Sequence, residues 1–371
     1  MGCFVREITF FDEGSLVAVL TTEPLGRALD YKAPQGGCFL GAFVEVPLGP
    51  RRVLGVVWGA GESGFDAARI RPIVRVLEAA PMGDAMRTFL MRAADYTLTP
   101  IPAMLRLATR APGLADPPGP RKVYRKGLQD ADRMTDARAR VMAVLAEYGG
   151  VAFTLSELAE LAGVTTSVIK GLAKQGVVAE EDAPRDLAYA VLDPDLPGKA
   201  LTDDQAQAAG QLATAVQRGR YGTTLLKGVT GSGKTEVYLE AVAETLRKGR
   251  QALVLLPEIA LTSEFLGRVE DRFGSKPGEW HSGVTQTERR RLWRMAGEGK
   301  VGLVVGARSA LFLPFQDLGL IVVDEEHDTS YKQEDGVHYN ARDMAVLRAS
   351  LTDAQVVLAS ATPCLETWVN A

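Results

Sequence analysis

The sequence predicts a multidomain α/β protein: a small β-rich N-terminal region, a compact helical module, and a parallel sheet covered by helices on both faces. Three observations carry this. From about residue 201, short apolar runs ("TTLLKGV", "QALVLLP", "VGLVVGA", "LGLIVVD", "AQVVLAS") alternate with helical stretches. Strands that are apolar on both sides belong in a sheet buried on both faces. Residues 15–60 instead hold β-branched, partly alternating segments. The length of 371 residues exceeds what one core organises.

In chain order, residues 1–112 form the first expected domain. "SLVAVLT" and "GAFVEVPLG" read as strands, and "RRVLGVVWG" follows a turn at Gly49-Pro50. Residues 84–110 read as helices, with Pro102 at an early helical position. "APGLADPPGPRKVYRK" (111–126) reads as linker, because its four prolines and two glycines break regular structure and its basic pairs keep it solvated. The linker is set at 113–135. Residues 136–198 carry three short helical patterns: one with Val141, Val144 and Leu145 on one face, one capped by Thr154 or Ser156, and "TTSVIKGLAKQG". "VVAEED" and "YAVLD" would then form a wing, completing a winged-helix pattern. A plain three-helix packing module is the alternative, and Lys170 and Lys174 do not by themselves establish nucleic-acid contact. Residues 199–371 form the α/β lobe, where Thr285 and Glu288 make a capping box.

The net charge of −4 excludes a histone-like coating of nucleic acid but leaves room for a local basic groove. Three scattered cysteines form no CxxC pair or disulfide framework, and the three histidines do not cluster with them. No apolar run approaches the roughly 18–20 residues of a membrane span. The N-terminus lacks a signal-peptide core, so a cytoplasmic location is expected.

"LLKGVTGSGKTEVY" (225–238) carries the chemistry. Gly228-x-x-x-x-Gly233-Lys234-Thr235 has the P-loop spacing, after a strand and opening a helix. Its small residues, Gly228, Thr230, Gly231, Ser232 and Gly233, let backbone N–H groups curl round phosphate oxygens at a helix N-terminus. Lys234 would reach the β- and γ-phosphates and Thr235 would ligate Mg²⁺. In "LIVVDEEH" (320–327), four apolar residues run into acids at a strand's C-terminal end, where α/β sheets bind ligands. Asp324 would hold Mg²⁺ and Glu325 would polarise the attacking water.

"DEEH" resembles the DExH box of superfamily 2 helicases, and further pieces follow in helicase order. Gln205 in "LTDDQAQA" lies upstream of the P-loop, where such enzymes read adenine. "LLPEIALT" (255–262) resembles motif Ia, "GARSALF" (306–312), which contains Arg308, motif Ib, and "SATP" (360–363) motif III. The resemblance implies that Arg308 faces DNA and that His327, Ser360 and Thr362 couple nucleotide state to DNA.

"DEEHDTSYKQEDGVHYNARDMAV" (324–346), "GVTGSGKTEVYLE" and "HSG" (281–283) are similar to the PriA family of primosomal helicases, as are "PLGRALDYKAP" (24–34) and "VEVPLG" (44–49). The resemblance covers roughly residues 15–371. It implies a RecA-like lobe and an N-terminal domain that holds a DNA 3′ end, with Asp30, Gly49 and Arg71 near the pocket. Leu29 departs from the phenylalanine frequent in the family, and His338-Tyr339-Asn340 departs from Arg-Tyr-His. In the loop after the acids, Tyr331 and Tyr339 would stack on bases, worth about 1–3 kcal/mol each, while Lys332 and Arg342 take phosphates.

The family is of ATP-dependent 3′→5′ DNA helicases that recognise stalled replication forks and initiate primosome assembly for replication restart. ATP and Mg²⁺ are the implied cofactors, with zinc only in a C-terminal half this chain lacks. Forked or single-stranded DNA, primosome proteins and single-stranded-DNA-binding protein are the implied partners, with no membrane and a monomeric state. The second RecA-like lobe also lies beyond motif III. Its arginines are worth about 10³–10⁵ in rate, so this chain is expected to bind ATP·Mg²⁺ weakly and hydrolyse it poorly. The alternative is a non-catalytic fork-binding module with a nucleotide-gated lobe.

Overall fold

The computed structural model describes residues 9–62, 69–110, 113–114, 119–129, 133–257 and 260–370. They fall into two compact units: residues 1–115 with 188–371, and residues 116–187.

The first unit opens with β1 (Phe10–Phe11), β2 (Leu16–Thr21), β3 (Leu29–Lys32), β4 (Cys38–Phe39), β5 (Phe43–Leu48), β6 (Arg51–Ala60) and β7 (Arg75–Val76). Five of them form an antiparallel sheet in the order β3-β2-β6-β5-β7, and β1 pairs with β4. Gly49, at φ 59°, supplies the left-handed turn between β5 and β6. Alternation along the strands separates two apolar sets. Val17, Val19, Tyr31, Val44, Val46 and Val57 close the sheet's own core. Leu20, Phe43 and Val56 face a second core with helices α1 (Asp84–Tyr96) and α2 (Ile101–Ala108).

The second unit contains β8 (Arg121–Lys126), α3 (Asp136–Glu147), β9 (Phe153–Thr154), α4 (Leu155–Ala162), α5 (Thr166–Lys174) and β10 (Val178–Ala183). Its sheet order is β10-β8-β9, and Tyr124, Val141, Leu145, Leu158, Ile169 and Leu172 fill the core, a winged-helix arrangement. Two expectations are corrected here. Residues 121–126 are the central strand rather than linker, with Val123 and Tyr124 buried between basic pairs. Those bases pair across the sheet with the acidic strand: Lys122 with Asp182 at 2.9 Å and Arg125 with Glu181 at 2.5 Å. The wing strand therefore pairs with β8, and "YAVLD" (188–192) forms no strand. Thr154, not Ser156, caps α4, in a full capping box with Glu157.

The rest of the first unit is the α/β lobe. Its elements are α6 (Asp203–Arg218), β11 (Gly222–Lys227), α7 (Lys234–Arg247), β12 (Gln251–Leu255), α8 (Ser263–Phe273), β13 (Gly278–Trp280), α9 (Gln286–Gly297), β14 (Leu303–Gly306), β15 (Leu318–Asp324), β16 (Lys332–Gln333), β17 (Tyr339–Asn340), α10 (Ala341–Thr352), β18 (Gln355–Ser360) and α11 (Leu365–Asn370). Six strands form one parallel sheet in the order β11-β18-β15-β12-β14-β13. One face packs on α6, α7 and α8. The other packs on α9 and α10 and shares its core with α1, α2 and the N-terminal sheet. Thr285 caps α9, but only half of the expected box forms, because the Glu288 carboxylate turns to Arg291 and the Tyr189 hydroxyl.

Arg348 of α10 is wholly buried in the shared core. It donates to Leu311 O and, at 2.7 Å, to Leu313 O, with the rings of Phe89 and Phe315 against its guanidinium. Trp293 stacks edge-on against Phe43, and its indole N–H donates to Ala108 O at 2.8 Å. These contacts join the N-terminal sheet and the lobe into one body.

Candidate nucleotide site and nucleic-acid interface

The strand order determines what can meet. β11 leads into the P-loop, β15 into the acids and β18 into the SATP turn, and β18 lies between the other two. Lys227 pairs in register with Ser360, and Asp324 with Ala359. All three segments thus emerge together at the sheet's C-terminal edge, where α/β folds bind ligands.

β11 ends at Lys227 and α7 begins at Lys234, so the P-loop is the turn between them. Gly231 and Gly233 are both left-handed at φ 78°. A Cβ on Gly233 would lie 2.4 Å from Gln205 Nε2, and one on Gly228 would lie 2.5 Å from Ser232 Oγ. Conformation keeps Gly231 and Gly233 glycine, and a side chain at Gly228 or Gly233 would displace Ser232 or Gln205. The Gly228 N–H donates to Ser360 O at 3.2 Å. Lys234 is buried, donates to Gly228 O at 3.0 Å and lies 3.6 Å from Glu325 Oε1. Thr230 and Ser232 line the same turn, and Thr235 opens α7 half-buried. Gln205 reaches the loop from α6: its Nε2 donates to Ser232 O at 2.8 Å, and its Oε1 accepts from Thr202 N at 2.9 Å. Both ends of that amide are held by protein.

Asp324 ends β15 in a half-buried position. Its Oδ2 accepts from the Tyr238 hydroxyl at 2.9 Å and its Oδ1 from Glu325 N at 3.0 Å. Burial pushes its carboxyl above the ordinary range, and the Tyr238 hydrogen bond works against that rise. Glu325 takes a left-handed φ of 46°, a strained conformation for glutamate. Glu325 approaches Lys234 of the P-loop, Glu326 turns to residues 364–367, and His327 lies between Glu325 Oε2, at 3.7 Å, and the SATP turn. His327 Nδ1 lies 2.8 Å from Ser360 Oγ, which accepts from Thr362 N at 3.1 Å. The three coupling residues thus form one chain of contacts.

The residues present fit a nucleotide-bound Mg²⁺. Thr235 and Asp324 would supply a hydroxyl and a carboxylate oxygen to the ion, the remainder coming from phosphates and water. No cluster of three or more His, Cys, Asp or Glu side chains suited to a metal occurs among the described residues.

The loop after the acids differs from its sequence reading. Tyr331 is buried, with its hydroxyl bonded to Asp324 O at 2.6 Å and Leu255 O at 3.0 Å. Tyr339 is buried against Phe312, and burial pushes its hydroxyl up to about 12. Neither ring offers a free face to a base. Arg342 turns inward, donating to Asp343 at 2.9 Å and pairing with Glu326 and Cys364. Arg308 donates to Ser330 O at 2.7 Å and Lys332 O at 2.9 Å, pinning the loop. Lys332 is exposed. Sequence reasoning took aromatic and basic residues in a polar loop as surface groups. It did not anticipate that the loop's own carbonyls and carboxylates need donors.

In the N-terminal sheet, Asp30, Gly49 and Arg71 line one pocket of about 310 Å³ with Leu29 and Tyr31. Arg71 donates to Gly49 O at 3.1 Å. The motif Ia residues Glu258 and Ile259 lie outside the described residues. Two residues with evident roles went unread in the sequence. Tyr238 sits one helical turn after Thr235 on α7 and so faces the same acid, and Glu326 is the third letter of DEEH.

Residues 202–368 match the family described as DEAD/DEAH box helicase, and residues 17–110 match the 3′ DNA-binding domain. The chain is 54% identical over 147 residues to the replication restart protein PriA of Rickettsia felis, covering 40% of this chain and 23% of that relative. It is 30% identical over 437 residues to PriA of Bacillus subtilis, covering 96% of this chain and 54% of the relative. For PriA of Chlamydia pneumoniae the identity is 34% over 370 residues, covering 95% and 49%. The chain spans about half the length of these last two relatives. Fold and site define a helicase-type P-loop lobe joined to a 3′ DNA-binding domain. The chain belongs to the PriA family of replication restart proteins. Among the described residues, no helix is long and apolar enough to cross a membrane.

Proposed function

We propose that this chain is the nucleotide-binding and fork-recognising portion of an ATP-dependent 3′→5′ DNA helicase that reopens replication at stalled forks. The observation that carries the reading is the 3.6 Å approach of Lys234 to Glu325, with Asp324 and Thr235 beside them. Lys234 exchanges its loop carbonyls for the β- and γ-phosphates, and the P-loop N–H groups cradle the remaining oxygens. Mg²⁺, held through Thr235 and Asp324, would neutralise phosphate charge when nucleotide binds. Glu325 orients and polarises the attacking water.

The pocket at Asp30, Gly49 and Arg71 receives the free 3′ end of a nascent strand. Arg71, with Arg27 and Arg69 on the same pocket wall, supplies positive charge, and Asp30 is a carboxylate acceptor for a terminal hydroxyl. The exposed Lys332 takes a phosphate beside the lobe. The same site serves translocation along DNA, with primosome proteins and single-stranded-DNA-binding protein as partners.

A DNA-stimulated ATPase assay tests the reading. Forked DNA with a free 3′ end raises turnover, Lys234→Ala abolishes it, and Arg71→Ala weakens binding to that fork more than to a blocked one. Fork binding without ATPase, indifferent to Lys234→Ala, would instead identify a non-catalytic fork-binding module.

A further inference from the structure

Glu326 has no place in the nucleotide chemistry just described, yet its side chain is fully buried. A carboxylate is rarely hidden so completely without several donors. Its two oxygens serve different parts of the chain. Oε1 accepts from Cys364 N at 2.8 Å, at the start of α11. Oε2 accepts from Thr367 Oγ1 at 3.0 Å and Cys364 Sγ at 3.2 Å, and lies 3.4 Å from Arg342 Nη1. The Glu326 main chain donates to Ala359 O at 3.0 Å, one residue before Ser360. Arg342 opens α10, directly after the loop that carries Lys332.

The start of α10 and the start of α11 therefore meet on one carboxylate, while the Glu326 main chain is tied to the end of β18. Its neighbour Glu325 is the left-handed residue 3.6 Å from Lys234. A turn of the Glu325 backbone toward a bound phosphate cannot leave Glu326 where it is. Glu326 in turn cannot move without shifting α11 and the start of α10.

We propose that Glu326 is a positioning residue, transmitting nucleotide occupancy at the P-loop to α11 and, through Arg342, to the loop at 328–340. Its charge is needed because Arg342, Thr367 and the Cys364 N–H all donate; an amide in its place would turn one N–H against these donors. This inference rests on the proposed reading that the lobe binds ATP and DNA together.

The test is the affinity of the chain for a fluorescent, non-hydrolysable ATP analogue with Mg²⁺, with and without single-stranded DNA. In the wild type the two ligands strengthen one another. In Glu326→Gln, affinity without DNA stays within about twofold, while the DNA-induced gain falls about fivefold or more, the scale of a lost coupling. Thr367→Val keeps the carboxylate and its arginine, and serves should Glu326→Gln not fold; a smaller loss of the same gain is expected. An unchanged gain in a folded Glu326→Gln, or in Thr367→Val where only that variant folds, overturns the proposal. So does an equal loss of affinity with and without DNA, which would mark Glu326 as purely structural. A wild-type chain that binds no nucleotide would sink the parent reading as well, and is recognised by the absence of signal before any DNA is added.

Discussion

The two sides of the nucleotide edge are built by opposite means. The P-loop side is main chain: three glycines, two of them left-handed, and N–H groups gathered at the start of α7. The side formed by residues 328–342 is side chain. Tyr331, Tyr339, Arg308 and Arg342 are all turned onto carbonyls, rings or carboxylates of the protein itself. The first arrangement leaves donors for a ligand. The second uses its donors to hold β12, β15 and α10 in register. The loop's influence on chemistry therefore runs through what it grips, and Tyr331 grips the main chain of Asp324 itself.

The sharpest break in this contrast is Lys234→Ala. It removes the one lysine aimed at the phosphates, and nucleotide affinity by calorimetry should fall about 100-fold or more, with little change in thermal unfolding. Next is Tyr331. As an internal pin, Tyr331→Ala should cost about 3–5 kcal/mol of stability through cavity formation. Tyr331→Phe should cost about 1–2 kcal/mol through the lost hydrogen bonds. Denaturant titration measures both, and single-stranded-DNA affinity should be unchanged in the phenylalanine variant. A base-stacking tyrosine would show the reverse: no stability change, and weaker DNA binding only in the alanine variant.

Asp324→Asn sharpens the contrast on its acidic side. Burial raises the Asp324 carboxyl above its ordinary 3.8, so the folded chain holds a proton more tightly than the unfolded one. Its contribution to stability is full below the unfolded value and is lost as pH rises through the folded value. At neutral pH the ionised group weakens the fold. Asp324→Asn should therefore melt at higher temperature at pH 7, with the advantage shrinking as pH falls toward 4. A lower melting temperature at pH 7 would show that Asp324 is held for stability rather than for a ligand. The smallest effect is at Lys332. Lys332→Ala should weaken single-stranded-DNA binding a few-fold and flatten its salt dependence by roughly one phosphate contact, with stability unchanged.

The parallel sheet and the P-loop were readable because backbone demands leave residue-type signatures: glycines at fixed spacing, apolar runs ending in acids. The meeting of Gly228, Asp324 and Ser360 follows from the non-sequential strand order, which the motif order along the chain does not show. The loop was misread because tyrosine and arginine look alike in sequence whether their polar ends meet DNA or a buried carbonyl. Residues 121–126 were misread for a related reason. Basic pairs flanking Val123 and Tyr124 suggested solvation, while their acidic partners lay some sixty residues downstream in β10.

A crystal structure of this chain with a non-hydrolysable ATP analogue and Mg²⁺ tests the central claim most directly. The account predicts that Lys234 Nζ leaves Gly228 O for the terminal phosphates, with the ion beside Thr235 and Asp324 and Glu325 facing the γ-phosphate. A nucleotide bound elsewhere, or Lys234 still bonded to Gly228 O beneath it, would contradict the account.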